Sequence, residues 1–310
     1  MSDKLQRTIT RFRAKIEAGS YYEAHQTVRT ITNRYVKANQ YSDAIDLLYQ
    51  SASILAAKAE YASATDLIIY LLSVYSEAGI TCDTAHKEYK MKLIELVSQL
   101  PETDPALADL AKKSTNWSQE NTENKFGDAD LHHLFGIKFL GAITKSSATN
   151  DEKSKLFALA ELHCVLGTSE SRDAYCQFLY DVWAVNGGDP GIFMARGVLN
   201  YGYLKNVAFA QEFVHQFIKL IGTNEFKQEG EISYNEKFPL CNFVQLLVLT
   251  LSKEEAGNKF LKLLDHYKPS LEKAQLVAPV EYLGRTYFQL KLGNTGGQNM
   301  FANMMGGLFK

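Results

Sequence analysis

The sequence predicts an all-α fold, a right-handed α-solenoid of tetratricopeptide-like helical hairpins. Two observations carry this. Tyr21-x-x-Ala24, Tyr41-x-x-Ala44 and Tyr61-x-x-Ala64 recur twenty residues apart. Behind each stand apolar residues at helical spacing: Val28 and Ile31, then Leu47 and Leu48, then Leu67, Ile68 and Leu71. Each unit reads as one helix of about five turns followed by a short break. Two units make a hairpin of ~40 residues, near the period of tetratricopeptide and HEAT-type arrays. Small alanine lets neighbouring helices approach, and tyrosine fills the space beside it.

The elements follow in order. Leu5, Ile9, Phe12 and Ile16 give the first helix its apolar stripe, and Gly19-Ser20 ends it. The second helix, YYEAHQTVRTITNRY from Tyr21 to Tyr35, carries two stripes. Ala24, Val28, Ile31 and Tyr35 form a core-facing line. Tyr22, His25, Gln26, Arg29 and Asn33 form a second line beside it. That second line is either a helix–helix contact inside the array or a surface for a partner, because Tyr and Arg dominate interface energetics. Gly79 closes the fourth helix, and a fifth runs over 84–100 to Pro101. Asp104-Pro105 offers an N-cap followed by Pro at the first helical position.

Further helices fit 128–145, 151–167, 170–186, 191–203 and 206–222, with a turn-rich break at Asn186 to Gly191. A polar segment with Gly230 at its centre, near 225–238, is either a small β-hairpin or a loop. An isolated hairpin is marginal in water, so it must pack on helices or on a partner. Phe238 to Ser252 reads as a strongly apolar helix, and helices over 254–267 and 270–291 follow. From 293 to 310 the chain turns Gly- and Met-rich, a flexible tail. Met300, Phe301, Met304, Met305, Leu308 and Phe309 would share one helical face there. That face is either a docked or frayed end or a segment that orders on a partner. The expected division is an N-terminal half at 1–145, a C-terminal half at 146–292 and the tail.

A net charge of −2 over 310 residues argues against nucleic-acid binding, which shows a basic excess. The charge is uneven. Residues 1–40 hold eight basic and three acidic groups, whereas residues 41–110 hold eleven acidic and four basic ones. A basic edge beside an acidic body suits a protein partner of mixed charge; the alternative is two solvated helix faces that differ. Cys82, Cys164, Cys176 and Cys241 are isolated, so neither a zinc site nor a redox pair is indicated. The N-terminal stretch lacks the apolar core of a signal peptide, and no segment approaches a membrane span. The expected compartment is the cytoplasm.

Catalytic chemistry is not indicated. His132 and His133 near Asp128 and Asp130 invite a metal, but adjacent histidines on a helix diverge by about 100°. His163 and Cys164 are adjacent and diverge likewise. Asp43 and Asp46 fall on an exposed helix face, and no G-x-S-x-G elbow, G-x-G-x-x-G or Walker loop occurs. No metal, no cofactor and no enzyme activity are expected.

The block Y-Y-E-A-H-Q-T-x-R-T-I-x-N-R-Y, then A-I-D-L-L at Ala44 and T-D-L-I-x-Y-L-L at Thr65 to Leu72, resembles the Golgi-to-ER traffic protein four family. The likeness continues through Asn116-Trp117-Ser118, Lys125-Phe126-Gly127-Asp128, Leu131-His132 and Leu166-Gly167-Thr168. It resumes at Asn242-Phe243-x-Gln245-Leu246-Leu247 and Tyr282-Leu283-Gly284. The resemblance implies a non-enzymatic cytosolic adaptor for inserting tail-anchored membrane proteins into the ER. Its N-terminal half would bind the targeting ATPase, favouring the nucleotide-loaded form. Its C-terminal half would bind a ubiquitin-like-domain protein that recruits the client-loaded chaperone. Carried over by motif, Tyr22, His25, Arg29, Arg34 and Asp66 would face the ATPase. Ser73 stands where an acid is expected. Phe238, Leu240, Phe243, Leu246 and Tyr282 would line the groove for the ubiquitin-like partner. The alternative from another class is a generic tetratricopeptide-like subunit of a larger complex.

Overall fold

The computed structural model describes residues 3–120, 122–145 and 149–292. The tail expected at 293–310 lies outside the described residues. The chain divides into two compact units, Met1–Gly167 and Thr168–Lys310. Among the described residues both units are helical, with one two-stranded sheet in the second. The all-α reading holds.

The first unit holds α1 (Asp3–Glu17), α2 (Tyr21–Lys37), α3 (Tyr41–Ala57), α4 (Tyr61–Glu77), α5 (Lys87–Ser98), α6 (Leu107–Gln119), α7 (Ala129–Lys145) and α8 (Asn150–Leu166). The twenty-residue repeat appears as three helices of 17 residues each, every one starting at its tyrosine. Ala24, Ala44 and Ala64 are fully buried where the helices approach. The breaks are alike too. Asn39, Ala59 and Gly79 take φ of 56°, 60° and 68°. In each break the next amide donates back into the helix: Gln40 N to Tyr35 O at 2.9 Å, Glu60 N to Leu55 O at 3.0 Å, and Ile80 N to Tyr75 O at 2.9 Å. This left-handed closure satisfies an orphan carbonyl and reverses the chain.

Leu5, Ile9, Phe12 and Ile16 are buried, as their spacing requires. The helix expected from Asp104-Pro105 begins later, at Leu107. The Asp104 carboxylate instead receives the Ala106 amide at 2.8 Å and the buried Thr65 hydroxyl at 2.8 Å, so it ties this turn to α4.

The second unit holds α9 (Ser169–Asn186), α10 (Gly191–Tyr203), α11 (Val207–Ile221), β1 (Lys227–Glu229), β2 (Ile232–Tyr234), α12 (Pro239–Leu251), α13 (Gly257–Lys273) and α14 (Val277–Phe288). Of the two options left open at 225–238, the hairpin is the one formed. Its register pairs Lys227 with Tyr234 and Glu229 with Ile232, across a two-residue turn whose Gly230 takes φ 60°.

Two boundaries differ from the sequence reading. The expected divide after residue 145 falls between α7 and α8, which pack together. A Cβ at Gly136 on α7 would stand 2.9 Å from Cys164 Sγ on α8. The division observed comes at 167. Second, the break expected near Pro269 is absent: Pro269 sits inside α13, and the chain turns at Ala274–Leu276, where Gln275 takes φ 58°. Proline removes one helical donor but does not oblige a helix to stop; Pro269 stands on the exposed side of α13, between Tyr267, packed on Phe243, and the buried Leu271.

Candidate partner-binding surfaces

The α2 residues expected at the ATPase fall into three environments. Tyr22 is 78% exposed, the most solvent-facing tyrosine among the large hydrophobics of the described residues. His25 and Arg29, one and two turns further on, meet Asp66 of α4. His25 Nε2 lies 2.8 Å from Asp66 Oδ2, and the Arg29 guanidinium donates to the same oxygen. The Arg29 guanidinium also covers the Tyr70 ring, 5.2 Å from its centroid. Burial pushes the Tyr70 hydroxyl pKa up, and the Arg29 charge opposes that shift. His25 and Arg29 thus make helix–helix contacts inside the array, whereas Tyr22 faces solvent.

Arg34 does not join this group. It lies on another side of α2, where it lines a groove of about 640 Å³ with Arg7 and Arg11 of α1, beside Thr8, Ile31 and Tyr35. Three exposed guanidinium groups thus converge on the α1–α2 groove. Ser73, where an acid is expected, turns its hydroxyl back to Ile69 O at 3.2 Å.

The C-terminal set divides by burial. Leu240 and Phe243 are 5% and 1% exposed. Phe243 packs on Tyr267 with ring centroids 5.5 Å apart. Both are core residues, so neither lines an open groove. Phe238 and Leu246 are half-buried, and Phe238 meets Phe226 at 6.5 Å. Tyr282 is half-buried and packs edge-on against Tyr203, 5.4 Å away.

Two residues with structural weight here drew no role from the sequence. Asn242 and Gln245 are buried amides in an apolar helix. Gln245 accepts from Ser233 N and donates to Ser233 O, both at 2.8 Å. Asn242 accepts from Asn235 N at 3.0 Å and donates to Asn235 O at 2.8 Å. The two side chains imitate a neighbouring strand, which fixes β2 on α12. The signal was legible: two amides three apart in an apolar run share one helical face. β1 is exposed along its whole length and, among the described residues, pairs with β2 alone, so its outer edge is able to accept an added strand.

Other polar clusters are structural. His132 donates through Nε2 to Phe126 O at 2.7 Å, and its Nδ1 lies 2.9 Å from His163 Nδ1. His132 Nδ1 is then the acceptor, and His163 Nδ1–H the donor. Burial holds both rings neutral, with the His163 pKa lowered to about 3. Among the described residues no group of three or more His, Cys, Asp or Glu side chains could hold a metal ion. Cys164, Cys176 and Cys241 are buried free thiols whose pKa burial pushes up to about 12. Asp189 receives the amides of Gly191 and Leu240 at 2.8 Å and of Cys241 at 3.3 Å, so one carboxylate caps α10 and α12 together.

The model of one protein family, Golgi to ER traffic protein 4, matches residues 38–309. The chain belongs to this family. Golgi to ER traffic protein 4 of Aspergillus fumigatus is 31% identical over 99% of this chain and 90% of its own length. The protein of the same name from Schizosaccharomyces pombe is 29% identical over 93% of this chain and 90% of its own. A crystal structure of C. therm. Get4 matches with a TM-score of 0.81 at 24% identity, covering 99% of this chain and 96% of that one. Golgi to ER traffic protein 4 is a family of non-enzymatic helical scaffolds, and its name places its members in Golgi-to-ER traffic. No helix among the described residues of this member is long and apolar enough to cross a membrane.

Proposed function

We propose that this chain is a cytosolic adaptor for inserting tail-anchored membrane proteins into the ER. Its N-terminal unit docks the targeting ATPase through Tyr22, His25 and Arg29, with Asp66 behind them and Arg34 contributing separately from the α1–α2 groove. Its C-terminal unit holds the ubiquitin-like-domain protein that brings the client-loaded chaperone. Phe238, Leu246 and Tyr282 are its contact candidates, supported from the core by Leu240 and Phe243. Tethering two partners raises their effective concentration, and no chemical step is needed. No nucleic acid and no membrane insertion of the chain itself enter this scheme.

The observation that carries the reading is Tyr22. A large aromatic 78% exposed, two turns before an Arg29 guanidinium held by Asp66, gains most from burial against a partner. The free edge of β1 supports the C-terminal half of the reading.

Calorimetric titration into the targeting ATPase, with ATP and without nucleotide, tests it. Binding that tightens with ATP is expected. Arg29→Glu should weaken that binding by about 2 kcal/mol or more, as loss of a close interfacial charge pair does. Absence of binding in both nucleotide states would sink the ATPase half of the proposal.

A further inference from the structure

Family likeness would have Asp66 offer its acid directly to the ATPase. The geometry assigns that acid elsewhere. Asp66 Oδ2 accepts from His25 Nε2 at 2.8 Å and from the Arg29 guanidinium, both reaching across from α2. Tyr70, one turn beyond Asp66 on α4, then supplies the ring on which Arg29 lies. Ser73, a further turn along, spends its hydroxyl on Ile69 O of its own helix. Along this line of α4 Asp66 is engaged by the chain's own cation and imidazole, and the other acid, Glu77 at the helix end, stands exposed beyond Ser73.

We infer that Asp66 is a positioning residue, a brace from α4 to α2 that acts on the partner through Arg29 and His25. It accepts the His25 Nε2–H and fixes the Arg29 guanidinium over Tyr70. Arginine has five N–H donors in a rigid fork, so those not given to Asp66 remain for a partner's acceptors. Ordering a long side chain before docking removes part of the entropy cost that binding otherwise meets. The exposed Tyr22 and the braced Arg29 then form one preorganised edge. This inference rests on the ATPase-docking proposal for its functional meaning, while the brace itself belongs to the free chain.

Two measurements on the full chain test it. The first reads the His25 ring by long-range proton–nitrogen correlation in the free protein. Wild type should show an Nε2–H proton shifted downfield and protected from exchange by its bond to Asp66, and Asp66→Ala should lose that shift and protection while its thermal unfolding stays cooperative. An unchanged His25 signal in Asp66→Ala overturns the brace. The second is a calorimetric cycle against the ATP-loaded ATPase with Asp66→Ala, Arg29→Ala and the double variant. Asp66→Ala alone should weaken binding about tenfold, a coupling of ordinary size for groups in contact. In the Arg29→Ala background it should weaken binding less than twofold. Asp66→Asn, whose amide oxygen still accepts one of the two bonds, should fall between wild type and Asp66→Ala. Additive losses would mean that Asp66 touches the partner itself, which overturns the positioning role. If wild type does not bind the ATPase, the docking proposal fails, and the His25 Nε2–H result alone decides the brace.

Discussion

Tyr22 on α2 and Phe243 on α12 are both large aromatics in motifs shared with the family, yet one is 78% exposed and the other 1%. Their neighbours explain the difference. Tyr22 shares its line with His25 and Arg29, groups that reach water or an ion pair. Phe243 lies in a run so apolar that nearly every direction from α12 is core. A motif residue followed by polar groups at helical spacing marks a surface; one embedded in an all-round apolar helix marks packing. The same reasoning separates Arg34, exposed on the α1–α2 groove, from Leu240 in the second unit's core.

The comparison breaks or sharpens under four perturbations. Phe243→Ala should cost about 3–5 kcal/mol of stability, the range for a buried phenylalanine truncation, measured by urea unfolding. A loss below 1 kcal/mol would place Phe243 on a surface after all. Gln245→Leu should cost about 2 kcal/mol, because it leaves Ser233 N and O without their partners. Amide exchange should then rise at β2 ahead of α12; equal protection in both proteins would contradict the strand-mimic role.

The third perturbation is pH, and it acts on the first unit. His163 has a folded-state pKa of about 3, well below the ordinary 6.5. Above pH 6.5 both folded and unfolded chains carry neutral rings, so no penalty arises. Below that the unfolded chain takes a proton that the native pair refuses. Stability should fall from pH 6.5 downward, by about 2 kcal/mol at pH 5 from this ring. His163→Phe, placed beside Phe135 and Phe139, should flatten that slope in pH-dependent denaturation. An unaltered slope would assign it to other groups.

The smallest effect on stability belongs to Tyr22→Ala, within about 0.5 kcal/mol, as for exposed positions without special contacts. Its effect on ATPase affinity should nonetheless be at least tenfold, the scale of an interface anchor. Destabilisation comparable to Phe243→Ala would show that Tyr22 packs within the fold.

Much of the architecture was legible from residue order. The Tyr-x-x-Ala repeat set three helices with the same length and the same left-handed breaks, because periodic apolar spacing and local backbone closure are local physics. The hairpin near 225–238 was legible only as one of two options, since its seat on α12 depends on Gln245 and Asn242, which lie outside the segment. The break misplaced to Pro269 shows the limit of local signals: a proline's lost donor does not end a helix whose neighbouring residues, Tyr267 and Leu271, are held from outside it.

The sequence by itself determined the all-α class, the helix-pair repeat and the residues of the α2 stripe. Only the tertiary structure decided what each stripe residue meets. Periodicity reports which side chains share a face of one helix, but says nothing of what another helix puts opposite. That is why Asp66, 37 residues from Arg29, turns out to be its partner across α2 and α4. It is also why Arg34 parts from Tyr22 on the same helix, and why Leu240 and Phe243 vanish into the core.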